Sequence, residues 1–110
     1  MQVYETYIMV YITVPNEEEA RKIGAILVEE KLAACVNIFK GAASLYRWQG
    51  EIVSDEETVM ILKSRKSLFR SIEKKVKELH SYSCPCIVSY EGNEGNEDYV
   101  KWIMDETSQA

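Results

Sequence analysis

Residues Tyr7–Val14 read YIMVYITV, eight positions in a row that are apolar, β-branched or aromatic. A strand with one wet face alternates apolar and polar residues, whereas an unbroken run marks a strand covered on both sides. Thr58–Lys63 (TVMILK) has the same character. The chain has 110 residues, enough for one domain. Two such strands must therefore be covered front and back by very few other elements.

Pro15 and Asn16 close the first run. Asn16 is a good N-cap, and Glu17, Glu18 and Glu19 suit the positive end of a helix, with Glu19 placed to complete a capping box. Ala20, Ile23, Gly24 and Leu27 recur at helical spacing, which predicts a helix over Glu17–Lys31. Leu32–Phe39 (LAACVNIF) predicts a second strand ended by Gly41. Ser44–Trp48 and Glu51–Val53 flank Gln49-Gly50, a turn signal that reads as a hairpin or a bent strand pair. Ser64 or Ser67 is expected to cap a second helix whose apolar stripe is Phe69, Ile72, Val76 and Leu79. Pro85 opens a strand over Cys86–Tyr90. The loop Gly92–Asn96 then leads to a short helix capped by Asn96 and carrying Tyr99, Trp102 and Ile103.

This order, β-α-β-β-α-β with an extra C-terminal helix, predicts an α+β, ferredoxin-like sandwich as a single domain over residues 1–110. Two helices cover one face of the sheet, and no second layer of helices remains for the other. An apolar patch of that size is unusual on a monomer, so the chain is expected to associate with copies of itself.

Composition narrows the partners. Lys and Arg number 13 against 18 Asp and Glu, a net charge of −5. Such a surface repels phosphate backbones and anionic headgroups, so neither nucleic acid nor membrane is an expected partner. Lys74, Lys75 and Lys77 read as a solvated helix face. The three cysteines, Cys35, Cys84 and Cys86, make no disulfide framework and point to a reducing compartment. With no Lys or Arg before Arg21, a basic secretion signal is not expected, and the location expected is cytoplasmic.

Few residues carry recognisable chemistry. His80, Cys84 and Cys86 form H-x-x-x-C-x-C, the one cluster of soft ligands in the sequence. Two thiolates two residues apart on an extended segment point the same way, and with an imidazole they suit Cu(I) or Zn(II). The alternative is that both cysteines are small strand residues and that His80 satisfies backbone groups at a helix end. Tyr46, Trp48, Tyr82, Tyr99 and Trp102 carry the aromatic surface of a subunit interface or of a cleft within it, a cleft expected to hold Tyr46, Lys63, His80 and Tyr82. Lys63 is expected to pair with Glu57 or Asp55, and Cys35 to be packing. One histidine serves the whole chain, and no nucleophile motif stands beside it, so the chain does not read as an enzyme.

Leu32–Ile38 (LAACVNI), Ser44–Gly50 (SLYRWQG), Lys63-Ser64, His80–Pro85 (HSYSCP) and Tyr99–Trp102 (YVKW) together resemble the CutA divalent-cation tolerance family. The resemblance runs in order from Pro15 to Trp102. It implies a ferredoxin-like protomer, a tight homotrimer in which strands of neighbouring protomers extend each other's sheets, and a role in tolerance of copper and other divalent cations. No required cofactor is implied; copper or another divalent cation would be bound weakly. The family usually reads H-P-Y-E-x-P-E where this chain has Ser81, Ser83 and Cys86 in place of the first proline and the two glutamates. Ile12 and Leu79 stand where some members carry a copper-binding cysteine and histidine, leaving His80 as the shared position. Two alternatives accompany this reading: a trimeric small-molecule sensor of the PII type, with clefts between protomers, and a structural trimerisation module.

Overall fold

The computed structural model describes residues 5–109. Strands β1 (Tyr7–Val14), β2 (Cys35–Trp48), β3 (Glu51–Arg65) and β4 (Ile87–Glu91) form one antiparallel sheet in the order β2-β3-β1-β4. Helix α1 (Glu17–Glu29) joins β1 to β2, α2 (Phe69–Leu79) joins β3 to β4, and α3 (Glu97–Glu106) ends the chain. Element order and strand order are those expected of a ferredoxin-like α+β protein.

The core lies between the sheet and two helices. Ile8, Val10, Ile12 and Val14 of β1 and Met60 and Leu62 of β3 share one face, against Ala20, Ile23 and Leu27 of α1 and Ile72 and Val76 of α2. All are fully buried, and each large side chain among them contributes roughly 1.5–3 kcal/mol. The opposite face carries the other half of the apolar runs. Met9 and Tyr11 pair there with Tyr90 and Val88 of β4, and all four stay between 36% and 62% exposed. Helix α3 lies on this second face, contrary to the expectation that no helix remained for it. It covers only one end: Tyr99 lies by Lys63, and Arg65 donates to Thr107 Oγ1 at 3.0 Å and to the Met104 carbonyl.

Several local expectations change. Gly41 does not end β2. A bulge at Lys40-Gly41, with Gly41 at φ 81°, lets the strand continue to Trp48. Gln49 and Gly50 both take positive φ, 49° and 83°, as a two-residue hairpin turn requires. β2 and β3 thus form one long hairpin. Its outer half, Ala42–Trp48 with Glu51–Glu57, runs past the end of β1, whose ladder with β3 covers Thr58–Arg65.

The helix ends differ too. Asn16 Oδ1 accepts from the Glu19 N–H at 2.8 Å, as a cap should. The Glu19 carboxylate, however, reaches the loop after α2 and makes no capping box. α1 stops at Glu29, because Lys31 turns to φ 60° and the Leu32 and Lys31 amides bond back to the Leu27 and Val28 carbonyls, a Schellman ending. Neither Ser64 nor Ser67 caps α2. The buried Ser64 hydroxyl donates to the Leu32 carbonyl at 2.7 Å. A 3-10 turn (Lys66–Leu68) precedes α2, and Glu5 takes the capping role from far away in sequence, accepting from the Ser67 N–H at 2.9 Å and its hydroxyl at 3.0 Å. Asn96 stands at the N-cap of α3 without a side-chain bond to it. β4 begins at Ile87, one residue later than expected.

Candidate functional site: a cleft beneath the hairpin arm

His80 closes α2, its N–H bonded to the Val76 carbonyl at 2.8 Å. Its side chain is fully buried. Nδ1 accepts the Tyr82 N–H at 3.0 Å, which places the proton on Nε2, and Nε2–H donates to the Thr13 carbonyl at 2.8 Å. Both ring nitrogens are therefore occupied by the fold. Ligating a metal would require breaking one of these bonds and exposing the ring. Among the described residues, no three His, Cys, Asp or Glu side chains converge in a way that could hold a metal ion. The three-ligand cluster of His80, Cys84 and Cys86 is thus not formed: the histidine points back into the fold, while Cys84 is exposed and Cys86 half-buried in the following loop.

That loop is pinned at its start. The Ser81 N–H and hydroxyl donate to Glu19 Oε2 at 3.0 and 3.1 Å, and the Tyr82 ring lies 4.8 Å from the imidazole, centroid to centroid. So fixed, the loop faces the hairpin arm across a cleft of about 510 Å³. Thr13 lies at its base. Tyr46, Trp48, Asp55 and Glu57 line it from the arm, and Ser81, Tyr82, Ser83, Cys84 and Cys86 from the loop. Tyr46 and Trp48, paired with Val53 and Glu51, share a sheet face with Asp55 and Glu57 because alternate strand residues point the same way.

Two phenol–carboxylate pairs organise the cleft. The Tyr46 hydroxyl donates to Asp55, and the Tyr82 hydroxyl donates to Glu57 Oε2 at 3.0 Å. The bond to Asp55 holds the Tyr46 phenol above its ordinary value. Burial, and then the bond to Glu57, push Tyr82 up to about 12. Burial and the Glu57 charge also raise the Cys86 thiol. Each of these shifts disfavours a new negative charge in the cleft.

The expected site residues therefore fall into two groups. Tyr46, Trp48 and Tyr82 meet in the cleft, while His80 lies behind it and does not line it. Lys63, Tyr99 and Trp102 lie elsewhere. The Lys63 ammonium stands 5.7 Å from the Tyr99 ring centre and 3.8 Å from Cys35 Sγ, so it does not pair with Glu57 or Asp55. Six residues of extended chain, about 20 Å, separate it from Glu57. Tyr99 and Trp102 stack at 5.4 Å on α3. Asp55 and Glu57 are the cleft-lining residues that sequence reasoning assigned elsewhere, as partners of Lys63. Their signal was the i, i+2 spacing, which puts both carboxylates on one strand face once the strand is known to be continuous.

Residues 8–106 match the family model described as CutA1 divalent ion tolerance protein. The chain is 48% identical over 99 residues to the divalent-cation tolerance protein CutA of Thermus thermophilus, covering 90% of this chain and 96% of that one. It is 40% identical to the chloroplastic CutA protein of Arabidopsis thaliana over 91% of this chain and 55% of that longer one. The crystal structure of CutA1 from Oryza sativa superposes with a TM-score of 0.93 at 37% identity, over 96% of this chain and 97% of that one.

Proposed function

Since the chain belongs to the CutA1 divalent ion tolerance family, we propose that it serves tolerance of divalent metal ions, as a non-enzymatic, cytoplasmic homotrimer of one-domain protomers. The observation that carries the assembly is the second sheet face, where Met9, Tyr11, Val88 and Tyr90 remain exposed beside the end that α3 covers. A second copy supplies the missing layer. The family is named for tolerance of ions and not for a reaction, which agrees with the lack of a nucleophile motif.

For a copper-like cation the donors must be sought without His80, whose nitrogens both serve the fold. Cys84 and Cys86 remain as soft ligands at the cleft. With the Cys86 thiol raised by burial, the contact is weak, as suits an ion met as cargo and not kept as a cofactor. Titration of the reduced protein with Cu(I), followed by native mass spectrometry, tests both halves. Trimer mass with one ion per protomer, lost in Cys84→Ser/Cys86→Ser, is the expected result. A monomer at micromolar concentration overturns the assembly, and unchanged uptake by the double variant overturns the site. The second reading, a small-molecule sensor, is favoured by the cleft itself, whose volume suits an organic ligand.

A further inference from the structure

We propose that His80, Glu19 and the Tyr82 amide form a proton-operated latch: one proton taken up at His80 Nδ1 transfers that nitrogen from Tyr82 to Glu19 and frees the Ser81–Cys86 loop from the end of α2. The latch depends on neither the metal nor the sensor reading.

Two acceptors face each other at its centre. In the neutral tautomer Nδ1 offers a lone pair, which the Tyr82 N–H takes at 3.0 Å. Glu19 Oε2 stands 3.5 Å from the same nitrogen. No proton lies between these two, since a carboxylate and an unprotonated ring nitrogen only accept. The Ser81 N–H and hydroxyl hold Oε2 in place at 3.0 and 3.1 Å. A carboxylate has about four lone-pair sites, so these bonds leave room for a further donor. The imidazole is fully buried and the Glu19 side chain only 16% exposed within one protomer. A second copy of the chain can bury the pair further but cannot come between its members.

Protonation reverses both contacts. Nδ1–H becomes a donor aimed at the Tyr82 N–H, another donor, while the contact with Glu19 becomes a charge-assisted bond. The remaining bonds survive. Nε2–H donates to the Thr13 carbonyl in either state, the His80 N–H keeps the Val76 carbonyl, and Ser81 keeps Glu19. The change is therefore confined to the Ser81–Tyr82 peptide, which is the hinge. Past it, the Tyr82 hydroxyl is bonded to Glu57 at 3.0 Å and couples the movement to the hairpin arm. The groups that face the ring come from four elements. α1 brings the Glu19 charge, β1 and α2 the Thr13 and Val76 carbonyls, and the loop Tyr82, with Glu57 of β3 behind its hydroxyl. Both charges are negative and offset the cost of burying an imidazolium. Histidine is the side chain whose charge changes between about pH 5 and 8, so acidification works the latch.

The chain has one histidine, so the imidazole nitrogens of the untagged protein give a single set of NMR signals. These and the Tyr82 amide are followed from about pH 8 to 5. Sedimentation at each pH checks the assembly, and the amide of Val10, in the buried core of β1, reports global unfolding. Nδ1 is expected to take up the proton while Nε2 keeps its own. At the same midpoint the scalar coupling across the Tyr82 N–H···Nδ1 bond should vanish, and exchange protection of that amide should fall about tenfold or more, with Val10 unchanged. Glu19→Gln keeps an oxygen acceptor for Ser81 but removes the charge, and should move both midpoints down by about one pH unit. A coupling that survives protonation of the ring, or an imidazole that stays neutral until Val10 is lost, would overturn the latch. So would a Tyr82 amide that loosens only together with Val10, or midpoints that Glu19→Gln leaves in place or raises. Should Glu19→Gln fail to fold, the coupling in the parent decides alone, since its loss or survival on protonation needs no variant.

Discussion

His80→Ala separates a structural histidine from a metal ligand. The substitution removes a fully buried ring and strands two backbone groups, the Thr13 carbonyl and the Tyr82 N–H, bonded at 2.8 and 3.0 Å. An orphaned buried polar group costs about 1–3 kcal/mol, and the space left by the ring adds a cavity penalty. Because Tyr82 is near the surface, water can replace part of its bond, which brings the expected loss to about 3–5 kcal/mol. Against a typical domain stability of about 5–15 kcal/mol, that is a large fraction. The assay is urea unfolding at fixed protomer concentration, since association adds its own mass-action term. Cu(I) affinity is measured on the same preparation in native buffer. A loss below about 1 kcal/mol, accompanied by a tenfold fall in Cu(I) affinity, would show that the ring is held for the metal and would refute the tautomer and the roles assigned here.

Other perturbations read different parts of the molecule. Lys31→Gly should raise stability by about 1 kcal/mol in thermal or urea unfolding, because Lys31 sits at φ 60°, where a side chain is penalised and glycine is not. Tyr82, with its folded value near 12 against an ordinary 10.0, keeps its proton after the unfolded chain has lost it. Stability should therefore hold below pH 10 and fall as pH rises through the interval up to about 12, and Glu57→Gln should shrink that fall. Burial alone would raise Glu5, but its bonds from Ser67 and Arg65 outweigh it and hold the carboxyl below 4.5. Its contribution is present above that value and lost as pH drops through the lower folded one, so Glu5→Gln should flatten the acid limb of an unfolding profile. On the proposed assembly the parent should sediment well above the protomer's 12.7 kDa, and Tyr11→Glu, which puts a charge on the uncovered sheet face, should return it to protomers.

Some of this architecture is legible along the chain and some is not. The runs YIMVYITV and TVMIL name the two central strands because β-branched and aromatic side chains mark strands wherever they lie, here with one face buried under the helices and the other left largely uncovered. The α1 stripe and the Asn16 cap are likewise local. The long hairpin is not. Gly41 and the acidic stretch Asp55–Glu57 look like breaks, yet cross-strand pairing from Ala42–Glu57 to Trp48–Glu51 carries the strands through them. Once that pairing is missed, Asp55 and Glu57 cease to be neighbours on one face, and the cleft they help form disappears from view. The α2 cap is hidden for a similar reason: the carboxylate that does the work, Glu5, lies 62 residues away from Ser67.

Loop Ser81–Cys86 shows how serine holds position 81, where the resemblance to the CutA family implies a proline. Proline at position 81 would fix φ in advance and lower the entropy cost of holding the loop. Serine gives up that restriction but restores an N–H and adds a hydroxyl, and both donate to Glu19 Oε2. The Glu19 side chain turns to this loop while its own N–H is capped by Asn16 Oδ1. The rigidity that a proline builds into one residue is here supplied by a contact between α1 and the loop. The position of Tyr82, and through its hydroxyl that of Glu57, consequently depends on a carboxylate from the other end of the first helix. A cleft anchored in this way is tied to the core at both His80 and Glu19. Its shape should be as durable as the packing of α1 and α2 on the sheet, even though its walls are a loop and a protruding arm.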